Sequence, residues 1–222
     1  MATGPRPRGP SPDKAREILD ILGETHSEAR IYLHYEGPLQ LLVATILAAQ
    51  CTDEKVNEVT PELFERYPTA ADLAAAPEGT LEKMLRPTGF FRQKAASVRE
   101  VCRTIAEQHD GNVPDDFETL RQMPGIGRKT ANIVLGEAFG RHTLAVDTHV
   151  KRVSTRLGLA SKKDPDRIEE ELCALIPHQR RWQATLVFGT HGRRICTAKK
   201  PDCENCPVNH LCGYYQEQVA GR

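Results

Sequence analysis

Three groups of residues in this chain carry chemistry. The first is Met123-Pro124-Gly125-Ile126-Gly127-Arg128-Lys129-Thr130. Gly125 and Gly127 let the backbone turn without Cβ strain, so N–H groups lie bare against a ligand. A helix starting directly afterwards offers its N-terminus to an anion, phosphate being the obvious candidate. Lys129 stands just past that contact, where its amine serves as a phosphate clamp or as a nucleophile. The second group is Val146-Asp147-Thr148-His149, in which Asp147 opens the next helix. A carboxylate there is an N-cap, and capping also fixes its position for acid–base work. His149 reads more naturally as a core histidine.

The third group is Cys196, Cys203, Cys206 and Cys212, a C-x6-C-x2-C-x5-C pattern. Four thiolates in so short a span can wrap one metal centre. Zinc prefers two C-x2-C knuckles separated by a longer loop. Here there is a single C-x2-C in a compact quartet, which favours a cubane iron–sulfur cluster over a zinc knuckle. Cys51, Cys102 and Cys173 sit in apolar helical stretches and read as small core residues.

The elements that must position these groups are helical. Ser11-Pro12-Asp13 is an N-cap with proline in the first turn, opening a helix through about Gly23. Leu39–Gln50 is apolar nearly all round and predicts a central buried helix. Amphipathic or short helices are expected over 53–67, 70–76, 80–85, 93–109, 115–122, 129–139, 148–157, 166–176 and 182–189. Alternating strand patterns are nearly absent, so the class is all-α. Residues 1–12, rich in Gly, Pro and Arg, read as a disordered tail.

Composition narrows the setting. Of 222 residues, 27% are charged and 5% aromatic, and the formal net charge is zero, so no global field advertises a polyanionic partner. The charge is unevenly spread. From His178 to Lys200 there are Arg180, Arg181, Arg193, Arg194, Lys199 and Lys200 and no acidic residue. That stretch is either a solvated face or a local site for a polyanion. No secretory signal is visible, and the longest apolar run, Leu41–Ala49, is far short of the ~20 residues of a membrane span. A cytoplasmic protein with no membrane partner is expected, its seven cysteines reduced.

With the hairpin, Lys129, Asp147 and the cysteine quartet together, the chain resembles the endonuclease III family of helix-hairpin-helix DNA glycosylases. The resemblance runs from about Asp13 to Cys212. It implies a two-lobed fold: a six-helix barrel over 31–141 that contains the hairpin, and an iron–sulfur lobe combining 13–30 with 142–222. The active site would lie in the cleft between lobes, with Lys129 and Asp147 on opposite walls. The implied cofactor is a [4Fe-4S] cluster. The implied partner is duplex DNA bearing damaged pyrimidines or abasic sites, bound by a monomer associated with the nucleoid.

By the same resemblance, Lys129 attacks the sugar C1′, expels an oxidised or saturated pyrimidine and forms a Schiff base, after which β-elimination breaks the strand. That requires a neutral amine. A helix N-terminus, burial in the cleft and Arg128 nearby would each depress the lysine pKa. Asp147 matches the family's catalytic carboxylate, as base or as electrostatic stabiliser. Gln50 matches the residue that fills the hole left by a flipped nucleotide. Phe90 falls at a wedge position often occupied by leucine, and Phe91 reads as core. Gly125, Gly127 and Arg128 would bind the DNA backbone, as would Lys200 on the loop between Cys196 and Cys203, with Lys199, Arg193 and Arg194 assisting. A mismatch- or adenine-specific relative is disfavoured by Lys129, and by the lack of room for an added C-terminal domain. A non-catalytic DNA-binding or redox-sensing protein would share the hairpin and cluster without needing Lys129 and Asp147 together.

Overall fold

A computed structural model describes residues 9–218 of the chain. Among these residues there are twelve α-helices, three short 3-10 turns and no strand. The chain divides into two compact units, one formed by residues 32–141 and the other by the segments before and after it. Helix α1 (Pro12–Thr25) begins the second of these units, with the Ser11 hydroxyl accepting from Lys14 N and Pro12 at its first position. Of the residues expected in a tail over 1–12, Ser11 and Pro12 already start a helix. Residues 1–8 lie outside the described residues.

The central unit is a stack of helices around α2 (Gly37–Leu47). Leu41, Leu42, Val43, Ala44 and Leu47 on α2 are all fully buried, as a helix apolar on every side must be. It packs against α3 (Asp53–Arg66), α6 (Phe91–Gln108) and α8 (Arg128–Ala138). Three short helices, α4 (Ala70–Ala74), α5 (Thr80–Leu85) and α7 (Phe117–Gln122), complete the unit. α2 ends at Leu47, three residues before the end read from the sequence. Ala48–Cys51 form a turn instead, in which Cys51 N bonds Ala48 O at 3.2 Å. The apolar pattern continues through that turn because Ala48 and Ala49 are apolar whatever their backbone does.

The other unit packs α1 with α9 (Thr148–Leu157), α10 (Pro165–Leu175), α11 (Arg181–Arg194) and α12 (Gly213–Gln218). Its core gathers Ile18, Leu19 and Leu22 of α1 with Val150, Val153, Leu172, Val187 and Phe188. Each large apolar side chain so buried contributes roughly 1.5–3 kcal/mol. α11 runs five residues beyond Gly189, where the sequence suggested a stop. Gly189 and Gly192 are helix-interior residues here, and at Gly192 the absence of a side chain lets α9 approach: an added Cβ would lie 2.8 Å from His149 Cβ.

Candidate active site and metal centre

In the central unit α7 and α8 are joined by a tight hairpin. Met123 and Ile126 are buried and anchor it, and Ile126 N bonds Met123 O at 3.1 Å. Gly125 has φ +80° and faces Ser97, whose Oγ would lie 3.2 Å from an added Cβ. Gly127 differs from expectation. Its φ of −82° is open to any residue, and it serves as the N-cap of α8, with no side chain capping the helix. The lack of a capping side chain leaves that N-terminus approachable by an anion.

Lys129 is the second residue of α8 and is exposed. The burial expected around it is not seen: it lies on the first turn of a helix that starts at the hairpin. The Arg128 guanidinium stacks over the Phe117 ring at 5.3 Å.

Gln50, Phe90, Gly125 and Thr130 line one pocket of this unit, with Lys94 and Ser97 at its side. Gln50 and Phe90 both adopt left-handed backbone conformations, φ 52° and 46°. A non-glycine residue there costs about 1–2 kcal/mol, and such strain clusters at functional sites. Phe90 is also the one large hydrophobic side chain exposed among the described residues, at 60%. Phe91, expected in the core, is only half-buried. The Phe90 turn is held from below by the buried Lys94, whose Nζ donates to Thr88 O at 2.7 Å.

In the other unit Asp147 caps α9. Its Oδ1 accepts from His149 N at 2.8 Å and Val150 N at 2.7 Å. From this cap a line of contacts leads along α9. Arg152 Nη2 lies 3.1 Å from His149 Nδ1, donates to Gly192 O at 2.8 Å, and its Nε donates to Cys196 O at 2.9 Å. Burial pushes the His149 imidazole below its usual pKa, and Arg193 and Arg152 add to this while Asp147 opposes it.

Cys196, Cys203, Cys206 and Cys212 line a single pocket between α9, the end of α11 and the start of α12. None of the four is in a disulfide. Burial and neighbouring thiols push Cys203 and Cys212 up, and burial carries Cys206 to about 11. Four thiolates lining one pocket suit a cubane with a thiolate at each corner. Polar groups face them: Arg156 Nη1 donates to Cys196 Sγ at 3.3 Å, and His191 Nε2 lies 3.6 Å from Cys206 Sγ. Lys200 is exposed on the loop between the first two cysteines, and Arg156 bonds that loop at Thr197 O and Ala198 O. Arg194, expected to assist Lys200, pairs with Glu28.

Residues 43–178 match the HhH-GPD superfamily of base excision DNA repair proteins, and residues 196–212 match the iron–sulfur binding domain of endonuclease III. Endonuclease III of Synechocystis sp. is 50% identical over 200 residues, covering 90% of this chain and 91% of the relative. The chain belongs to the endonuclease III family. Endonuclease III of Escherichia coli strain K12 is 39% identical and covers 92% of this chain, 97% of its own. A solved structure of a trapped endonuclease III–DNA covalent intermediate superposes with a TM-score of 0.88 at 39% identity, covering 93% of this chain and 97% of that one. The protein is thus an endonuclease III-type DNA glycosylase and abasic-site lyase of base excision repair, with a [4Fe-4S] cluster as cofactor.

Four residues of this chain were invisible to sequence reasoning. Arg152 and Arg156 carry only the i,i+4 spacing of any solvated helix face, yet both turn toward the cysteine segment. His191 and Lys94 lie inside helices with no motif around them. The one available signal was polarity at positions that helical periodicity places inward.

Proposed function

We propose that the enzyme excises oxidised or ring-saturated pyrimidines from duplex DNA and cuts the strand at the resulting abasic site. The observation that carries this is Lys129, an exposed amine on the first turn of α8 directly behind the hairpin, in a chain so similar to a covalently trapped endonuclease III. The target base cannot be reached inside a duplex, so the nucleotide is turned out of the stack. Phe90 enters between base steps as a wedge, and Gln50 occupies the vacated space. Gly125, Gly127 and the open N-terminus of α8 hold a phosphate, and Lys200 contacts the backbone. Lys129 Nζ attacks C1′, the glycosidic bond breaks and the base leaves. The amine and sugar then form a Schiff base, and β-elimination breaks the strand on the 3′ side. Asp147, fixed by its cap, stabilises the positive charge that develops on the sugar or takes the amine proton.

Cys196, Cys203, Cys206 and Cys212 would hold the cluster, which would supply a four-point cross-link within the Cys196–Cys212 segment. No helix among the described residues is long and apolar enough to cross a membrane, and we place the enzyme on chromosomal DNA in the cytoplasm, acting as a monomer. Borohydride trapping against duplexes each carrying one defined lesion tests the reading. Adducts are expected with oxidised or saturated pyrimidines and with abasic sites, and none with undamaged or mismatched duplex. Trapping at abasic sites alone would overturn the lesion class, and no trapping at all would overturn the nucleophile.

A further inference from the structure

α1 ends in a buried histidine, His26, 3% exposed, and α11 carries a second, His191, 1% exposed. His26 Nε2 lies 3.1 Å from His191 Nδ1, with the rings tilted by 58°. The other nitrogen of His191, Nε2, faces Cys206 Sγ at 3.6 Å, hydrogen-bonding range for the larger sulfur atom. Two imidazoles thus form a line from the end of α1 to one thiol of the quartet. Neither ring has water to turn to, so each contact is one proton between two atoms.

The direction of those protons follows from what Cys206 is. As a ligand it is a thiolate and can only accept. His191 must then carry its proton on Nε2, and a neutral ring has only one. Nδ1 is therefore the acceptor, and His26 Nε2–H is the donor. We propose that His26 is a positioning residue of the iron–sulfur centre, holding His191 in the tautomer that donates to the Cys206 sulfur. With free thiols the line runs the other way: S–H donates to Nε2, and His191 Nδ1–H donates to His26. Loading the cluster reverses both hydrogen bonds, and the thiol proton displaced by iron leaves to solvent. Outer partners of this kind fix ring orientation and govern how firmly a metal group is kept. N–H donation to a cluster sulfur also favours the reduced state, by offsetting its extra negative charge.

The test uses holoprotein. His26→Leu removes the donor, and iron release to a chelator should quicken roughly ten-fold, with the cluster's reduction potential moving to a more negative value. His26→Gln keeps an N–H at similar reach, so release should stay near the wild-type rate. His26→Leu added to His191→Leu should change nothing further, because His26 acts only through His191. Unaltered release in His26→Leu, equal losses in His26→Gln and His26→Leu, or additive losses in the double variant would each overturn the proposal. Should His26→Leu fail to fold, 15N spectra of wild-type holoprotein decide: His191 must be protonated on Nε2 and bare on Nδ1, and the opposite tautomer refutes the assignment.

Discussion

Arg156 and Cys196 are joined in two ways, by an Nη1-to-Sγ contact of 3.3 Å and through the carbonyl that follows Cys196, Thr197 O, at 2.8 Å from the same nitrogen. The guanidinium is stacked over Tyr214, 4.8 Å from the ring centre, which limits its freedom. One cation therefore neutralises a thiolate and pins the loop that presents Lys200. Arg156→Met retains most of the stem and deletes the donors. Purified Arg156→Met should contain less iron and lose its visible absorption sooner than wild type. Lys200→Ala should keep its iron and weaken duplex binding whatever the lesion, with the slope of log K against log salt reduced by about one. An unchanged slope would remove Lys200 from the phosphate contacts.

The chemistry should divide between Lys129 and Asp147. Lys129→Gln keeps length and polarity without the amine. Borohydride trapping and strand cleavage should vanish while affinity for lesion DNA remains, since backbone N–H groups still hold phosphate. Asp147→Asn retains an oxygen to accept from His149 N and Val150 N, so α9 keeps its cap. Base release should nonetheless fall by roughly 10²–10³-fold with the loss of the charge. Trapping at a pre-formed abasic site should suffer less, because no glycosidic bond has to break there.

The left-handed backbones of Gln50 and Phe90 predict opposite signs for stability and function. Glycine accepts that conformation freely, so Phe90→Gly should leave thermal stability unchanged or raise it by up to about 1 kcal/mol, given a side chain already 60% exposed. Excision from duplex should still slow, and more than cleavage at an abasic site, where less extrusion work remains. Gln50→Gly should behave alike. Equal losses on both substrates would argue that the two residues only maintain the fold.

Gly192→Ala should destabilise the unit that carries the cysteines by about 1–3 kcal/mol. The added methyl would meet His149 Cβ at 2.8 Å and Val153 Cγ2 at 3.2 Å, and α11 would have to withdraw from α9. Calorimetric melting of the variant beside wild type measures this. An unmoved transition would show that the two helices can part without cost.

Much of this was legible in the residues. The hairpin, the cap at Asp147 and the cysteine spacing are local patterns, and local patterns survive folding. What could not be read depends on distant contacts. Gly127 looked like a second turn glycine because composition does not distinguish a positive φ from an open N-cap. Burial of Lys129 was expected from the cleft that the resemblance implied, whereas its exposure depends on what packs over the first turn of α8. His26 and His191 are 165 residues apart. Neither belongs to a motif, and only the packing of α1 against α11 makes them neighbours.

The interrupted unit also imposes an order of manufacture. A ribosome releases α1 first, with Ile18, Leu19 and Leu22 facing outward and their partners Val150 and Phe188 not yet made. The intervening 32–141 unit has its own buried core and can condense while synthesis continues. α1 must wait for α9–α11, and the four thiols emerge after them. Thiolates for the iron thus follow the helices that α1 needs, and a chain cut before Thr148 leaves the 32–141 unit attached to a helix whose partners are missing.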